Sequence, residues 1–260
     1  MNILDKIVIN KKKEVAAAKE LVSVSQLEAS ELFGRDTYSF REFLLDPART
    51  GIIAEFKRKS PSKGIINDKV SVEDVTTAYA EAGASAISVL TDCDFFMGAQ
   101  IDLHRARAVN KVPLLRKDFM IDEYQVLEAK AWGADIILLI AAILTPAEIK
   151  SMAALAKSLG LNVLLEVHNL EELQRNIDPN LAAIGVNNRN LADFTVSVET
   201  SFKLYEHIPQ EFLKISESAI SNTETIKQLK ATGFNGFLIG ENFMKEVDPG
   251  AAIREFVKGL

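Results

Sequence analysis

From residue 51 onwards the chain keeps returning to one pattern: a short apolar run, then an amphipathic stretch of helical period, and in four cases a glycine. The apolar runs predict strands over 51–56, 86–90, 113–116, 134–140, 162–167, 181–186, 212–216 and 236–239. The periodicity between them predicts helices over 72–82, 123–132, 146–159, 198–207 and 223–231, and a last one over 249–257. Gly83, Gly133, Gly160 and Gly233 stand at helix ends. Strands joined by helical crossovers run parallel, since a tight hairpin can only reverse the chain. Eight such units, with no proline- or serine-rich linker, predict an α/β fold, a (β/α)8 TIM barrel. It would span residues 1–260 as one domain, with residues 1–47 as an N-terminal helical extension. An open doubly wound sheet would follow its first strand with a glycine-rich turn, and here Lys57-Arg58-Lys59-Ser60-Pro61-Ser62 stands in that place.

The extension starts with a helical pattern over 2–21, with Ile3, Leu4, Ile7, Val15 and Ala18 on an apolar side and Lys11, Lys12 and Lys13 expected in solvent. Ser25-Gln26-Leu27-Glu28 reads as a capping box opening a short helix, and Phe40, Phe43 and Leu44 form the apolar side of another. These helices are expected to pack over one mouth or flank of the barrel. The longest apolar run, 134–144, is too short to cross a bilayer, and the first residues carry no signal-peptide pattern, so a soluble cytoplasmic protein is expected. A net charge of −6 and a pI of about 5.3 argue against nucleic acid or an anionic membrane as partner. Cys93, the lone cysteine, excludes an internal disulfide and a cysteine metal cluster, leaving a small packing side chain or a nucleophile. His104, His168 and His207 show no metal-ligand spacing, so no metal is expected.

In a TIM barrel the chemistry sits at the carboxyl ends of the strands, so the residues that end each strand carry the functional signal. Alternation puts Glu55 and Lys57 on one face of the first strand, and Leu115, Lys117 and Phe119 on one face of the third. It likewise groups Leu164, Glu166 and His168 on the fifth, and Gly185, Asn187 and Arg189 on the sixth. The second strand leads to Asp92 and Phe96, while the fourth stays apolar through Leu138. On the seventh, Ser216 and Ser218 are expected to share the inward face, with Glu217 pointing the other way. A buried charge without a partner costs several kcal/mol, and apolar packing usually serves stability better. Charges delivered to one rim by several strands therefore read as a proton donor and acceptor set. Whether the carboxylates tighten the proton of Lys117 or burial loosens it, the sequence leaves open. The segments Glu217-Ser218-Ala219-Ile220-Ser221 and Gly240-Glu241-Asn242 lead into helices, and with Lys57 they read as an anion site.

The stretches IAEFKRKSPSKG (53–64), LRKDF (115–119), LLEVH (164–168), IGVNNRNL (184–191) and SESAI (216–220) resemble the motifs of the indole-3-glycerol phosphate synthase family. Five motifs in order, over nearly the whole chain, make the resemblance specific. It implies a barrel lyase of the tryptophan pathway that cyclises 1-(2-carboxyphenylamino)-1-deoxyribulose 5-phosphate, losing carbon dioxide and water, with no cofactor or metal. The partner it implies is a small-molecule phosphosugar substrate, with no obligatory protein partner, nucleic acid or membrane. By resemblance, Lys117 looks like the general acid, Glu166 the acid/base of dehydration, Glu55 and Asn187 positioning groups, and Ser218 a helper. Lys57 with Ser218 and the backbone of Ala219, Gly240 and Glu241 looks like the phosphate site, and Ser62 and Arg189 would lie near the substrate's polar parts. Phe96, Phe119, Leu138 and Leu191 match the apolar wall for the anthranilate ring. One departure stands out: Ala219 occupies a position where the family usually has glycine, so weaker or shifted phosphate contacts are expected. Two rivals remain at this point. One is a barrel of the phosphoribosylanthranilate isomerase type, which uses a paired acid and base, commonly cysteine and aspartate; it is discounted because Cys93 lies past the second strand and the first ends in glutamate and lysine. The other is a non-catalytic phosphate-binding barrel, which would not need Lys117, Glu166 and Glu55 together.

Overall fold

In the computed structural model, which describes residues 3–190 and 195–260, the apolar runs become eight parallel strands. They are β1 (Ile52–Phe56), β2 (Ala86–Leu90), β3 (Leu114–Lys117), β4 (Ile136–Ile140), β5 (Asn162–Val167), β6 (Ala183–Asn187), β7 (Leu213–Glu217) and β8 (Gly236–Ile239). Each pairs with the next, and β8 pairs with β1, Ile53 opposite Leu238, so the ring is closed. Alternate side chains face inward, where Ile53, Leu115, Ile136, Leu164, Leu213 and Ile215 fill the barrel. The other faces of the strands meet the helices in a larger apolar layer that includes Phe56, Ile87, Leu139, Leu165 and Phe237.

The helices of the barrel proper are α4 (Val72–Glu81), α5 (Gln100–Val109), α6 (Glu123–Ala131), α7 (Pro146–Ser158), α8 (Leu170–Asn176), α9 (Glu199–Tyr205), α10 (Thr223–Thr232), α11 (Glu241–Met244) and α12 (Pro249–Val257). They are preceded by α1 (Ile3–Leu21), α2 (Val24–Glu28) and α3 (Phe40–Leu45). Polar caps start several of them: Ser71, Asp122, Asn169 and Asn222 each accept a backbone N–H of the first turn. Thr145 and Glu148 form a reciprocal box around Pro146. In the extension the box is Ser23 with Gln26, two residues earlier than Ser25 with Glu28, because the helix already begins at Val24.

The extension covers both ends of the ring. At the amino-terminal end of the strands, Phe40 and Leu44 of α3 join the inner core as its floor. At the other end, Ile3, Leu4 and Ile7 of α1 roof the mouth. Lys11 is not in solvent as its neighbours are: lying one helical turn after Ile7, it falls on the packed face and is 3% exposed. Its ammonium lies 2.9 Å from both Asp92 and Asp118 and also pairs with Glu14. The hydroxyl of Tyr124 on α6 donates to the carbonyls of Ala18 and Val22 at the far end of α1.

At the amino-terminal ends of β3 and β4 a second charged group surrounds the buried Asp135. One oxygen of Asp135 accepts from Arg35 (2.7 Å) and from the backbone N–H of Tyr38 (2.8 Å). The other accepts from Arg107 (2.7 Å) and from the N–H of Leu114 (2.8 Å).

Candidate active site

The carboxyl ends of the strands surround one cavity, lined by Glu55, Lys57, Ser62, Phe96, Lys117, Phe119, Leu138, Glu166, Asn187, Arg189, Ser218 and Glu241, all residues singled out in the sequence. Ala219 and Gly240 do not line it; they are the chain neighbours of Ser218 and Glu241, which do. Leu191 lies outside the described residues. Cys93 does not line the cavity; its thiol is exposed, and partial burial pushes its pKa up, away from a reactive thiolate. Among the described residues no group of three or more His, Cys, Asp or Glu side chains is arranged to hold a metal ion.

Lys117 ends β3 and points inward, its ammonium 2.9 Å from Oε2 of Glu166 and 3.5 Å from Oε2 of Glu217. Burial pulls its pKa down, but Glu166, Glu217 and Glu55 outweigh burial and hold the ammonium well above its ordinary range. The balance left open by the sequence is thereby decided: Lys117 carries its proton. Glu166 is pushed up by burial, yet Lys117 and His168 more than reverse this and hold it well below the usual carboxylate range. Its Oε1 accepts from Nδ2 of Asn187 at 3.1 Å. Glu55 takes the ammonium of Lys57 at 2.5 Å. The rings of Phe96 and Phe119 stand 5.9 Å apart, forming one apolar side of the same space.

Glu217 corrects the sequence reading: it points into the barrel, and Ser216 points out. The strand runs one residue further than expected, and Leu213, Ile215 and Glu217 share the inward face, while Ser216 is buried on the other side against Asn188 and Ser201. Two signals could have found it. One is the apolar alternation of Leu213 and Ile215, and the other is Gly185 on the adjacent strand, where a Cβ would come within 2.1 Å of Oε1 of Glu217. The glycine makes room for the carboxylate. That oxygen has no hydrogen-bond partner among the described residues. Burial, with Glu166 and Glu55 nearby, outweighs Lys117 and pushes Glu217 up to about 7. It is a carboxyl able to gain or lose a proton at neutral pH.

Directly after Glu217, Ser218 and Ala219 take successive left-handed conformations, φ +66° and +60°. For a residue with a Cβ this conformation costs about 1–2 kcal/mol. Gly240 packs against Glu55, where a Cβ would come within 2.6 Å of Oε1, so this backbone can approach only without a side chain. Glu241 faces Lys63 at 3.4 Å and Arg189 at 3.8 Å. After β1, Arg58 holds the loop by pairing with Asp102 and donating to the carbonyl of Met97.

A parallel eight-stranded barrel with an ammonium among three carboxylates at its carboxyl-end mouth is the build of a TIM-barrel enzyme that transfers protons. Among solved structures, the tryptophan synthase α2β2 complex from Pyrococcus furiosus matches with a TM-score of 0.60 at 17% identity, covering 81% of this chain and 97% of that one. A mandelate oxidase variant matches with a TM-score of 0.62 at 15% identity, covering 80% of this chain and 71% of that one. At such identities these likenesses concern the fold alone. The family model "Indole-3-glycerol phosphate synthase" matches residues 4–256. The protein of that name from Bacteroides thetaiotaomicron is 46% identical over 100% of this chain and 99% of its own length. Its counterpart from Albidiferax ferrireducens is 42% identical over 98% and 97%. The chain belongs to the indole-3-glycerol phosphate synthase family, and with it to the carboxy-lyases of tryptophan biosynthesis.

Proposed function

We propose that this cavity closes the five-membered ring of 1-(2-carboxyphenylamino)-1-deoxyribulose 5-phosphate. The ring carbon bearing the carboxylate attacks the ketose carbonyl carbon while Lys117 gives a proton to the carbonyl oxygen. Loss of carbon dioxide restores the aromatic ring. The former carbonyl oxygen then leaves as water while the neighbouring methylene carbon gives up a proton and the ring double bond forms, with Glu166 as the acid/base of that dehydration, and indole-3-glycerol phosphate results. The observation that carries this reading is Lys117, charged and inward, between two carboxylates of unlike proton affinity and beside an aromatic wall. Glu55 and Asn187 position these groups, Ser218 assists dehydration, and Glu217 is placed to exchange a proton with Lys117. The phosphate lies by Lys57, Ser218 and the backbone of Ala219, Gly240 and Glu241, with Ser62 and Arg189 toward the sugar. Phe96, Phe119 and Leu138 receive the anthranilate ring. A cytoplasmic enzyme working without cofactor or obligatory protein partner belongs to the same reading. Incubating the purified protein with the substrate should produce indole fluorescence and release one carbon dioxide per turnover; substrate that stays intact would overturn the assignment.

A further inference from the structure

Two carboxylates share Lys117, and they differ in what stands on their far side. Oε2 of Glu166 faces Lys117 at 2.9 Å, and its Oε1 faces Nε2 of His168 at 3.4 Å and Nδ2 of Asn187 at 3.1 Å. Glu217 has Lys117 at 3.5 Å, and its other oxygen has no hydrogen-bond partner among the described residues. His168 follows β5 and lies on the side of Glu166 because the two are two residues apart. It is itself held: its Nδ1 is 3.1 Å from Oε2 of Glu172 on α8, and that same oxygen accepts the backbone N–H of His168 at 2.8 Å. Asn169 donates to the other oxygen of Glu172 at 2.9 Å. Thus a chain runs from the helix cap through Glu172 and His168 to Glu166, and it ends in the cavity.

We propose that His168 is a positioning residue for Glu166: with Asn187 it holds one carboxylate oxygen so that the other faces Lys117 and the substrate. The proposal rests on the reading of Glu166 as an acid/base. Burial lowers the pKa of His168, but Glu166 and Glu172 on either side outweigh it and raise it to about 10, so both ring nitrogens are donors at neutral pH. Nε2 of His168 makes no hydrogen bond among the described residues, so its 3.4 Å contact with Glu166 is an ion pair. The unlike proton affinities of Glu166 and Glu217 follow the same geometry. His168 also opens onto a neighbouring surface pocket lined by Glu172, Asn188 and Arg189, so the chain reaches from the cavity to solvent.

The test compares kcat per folded molecule and KM at pH 7, with the carboxyphenylamino substrate, in the wild type and in His168→Gln, Glu172→Gln and Glu166→Gln. Losing His168 is expected to lower kcat about tenfold with little change in KM. Glu172→Gln should lower kcat by less. Lost folding alone would reduce the amount of active enzyme and leave kcat per folded molecule in place. A kcat in His168→Gln equal to that of the wild type overturns the proposal. If that variant does not fold, an unchanged kcat in Glu172→Gln overturns it, and a lowered one supports it. Normal turnover by Glu166→Gln would refute the role of Glu166 itself. A dead Glu166→Gln beside an unchanged kcat in His168→Gln would refute only the part given to His168.

Discussion

The two ends of the barrel each enclose a charged cluster, and the clusters are built on opposite principles. At the amino-terminal end, Asp135 has four donors for its two oxygens, two arginines and two backbone N–H groups, so both oxygens are fully hydrogen-bonded. At the mouth, one ammonium is divided between Glu166 and Glu217, one oxygen of Glu217 has no hydrogen-bond partner among the described residues, and open space adjoins the group. Satisfaction fixes a fold; partial satisfaction beside a cavity leaves protons free to move. The same residue types therefore serve stability at one end and chemistry at the other.

The contrast can be broken from either side. Lys117→Ala should lower kcat per folded molecule by about a thousandfold or more while a substrate analogue still binds; a variant that turns over normally would move the chemistry elsewhere. Asp135→Ala should do the reverse. It strands the buried Arg107 and the part-exposed Arg35, so urea unfolding should report a loss of about 3 kcal/mol, with kcat per folded molecule near the wild type.

A third variant sharpens the difference through pH. Folding raises the pKa of Glu217 from 4.5 to about 7, so between those values the folded state holds more protons than the unfolded one. This group's contribution to stability is fully present below pH 4.5 and is lost as pH rises through about 7. Glu217→Gln should remove that slope, an effect on the order of a few kcal/mol across the window, read from thermal unfolding at several pH values. The smallest effect concerns Ala219. Its φ of +60° suits glycine, so Ala219→Gly should stabilise the chain by roughly 0.5–1 kcal/mol after the entropy of the unfolded glycine is set against the relief. It should also tighten inorganic phosphate binding, and a change confined to the ring-binding step would contradict the place given to this loop.

Most of the mouth was legible in the sequence because strand alternation alone decides which side chains turn inward, and Glu55, Lys117, Glu166 and Asn187 each sit at an inward parity. Glu217 escaped for the same reason: ending the strand at Ser216 put the parity on the serine, and one residue of error changes the face. Lys11 escaped because a run of three lysines reads as solvated, although its spacing from Ile7 and Val15 puts it on the buried side of α1. The cluster around Asp135 had no local signal at all. Its arginines lie 100 and 28 residues away, and only packing of the extension and α5 against the starts of β3 and β4 brings them together.

The cavity draws one side from the first helix of the chain, Ile3, Leu4 and Ile7, and another from the last strand and the residues after it, Leu238 and Glu241. During synthesis the roof is therefore made first and must wait for the closing wall, because β1 has no second neighbour until β8 arrives. A growing chain has no complete binding site before its final strand has left the ribosome, and its apolar roof and open sheet edge are then the segments in most need of protection from other chains.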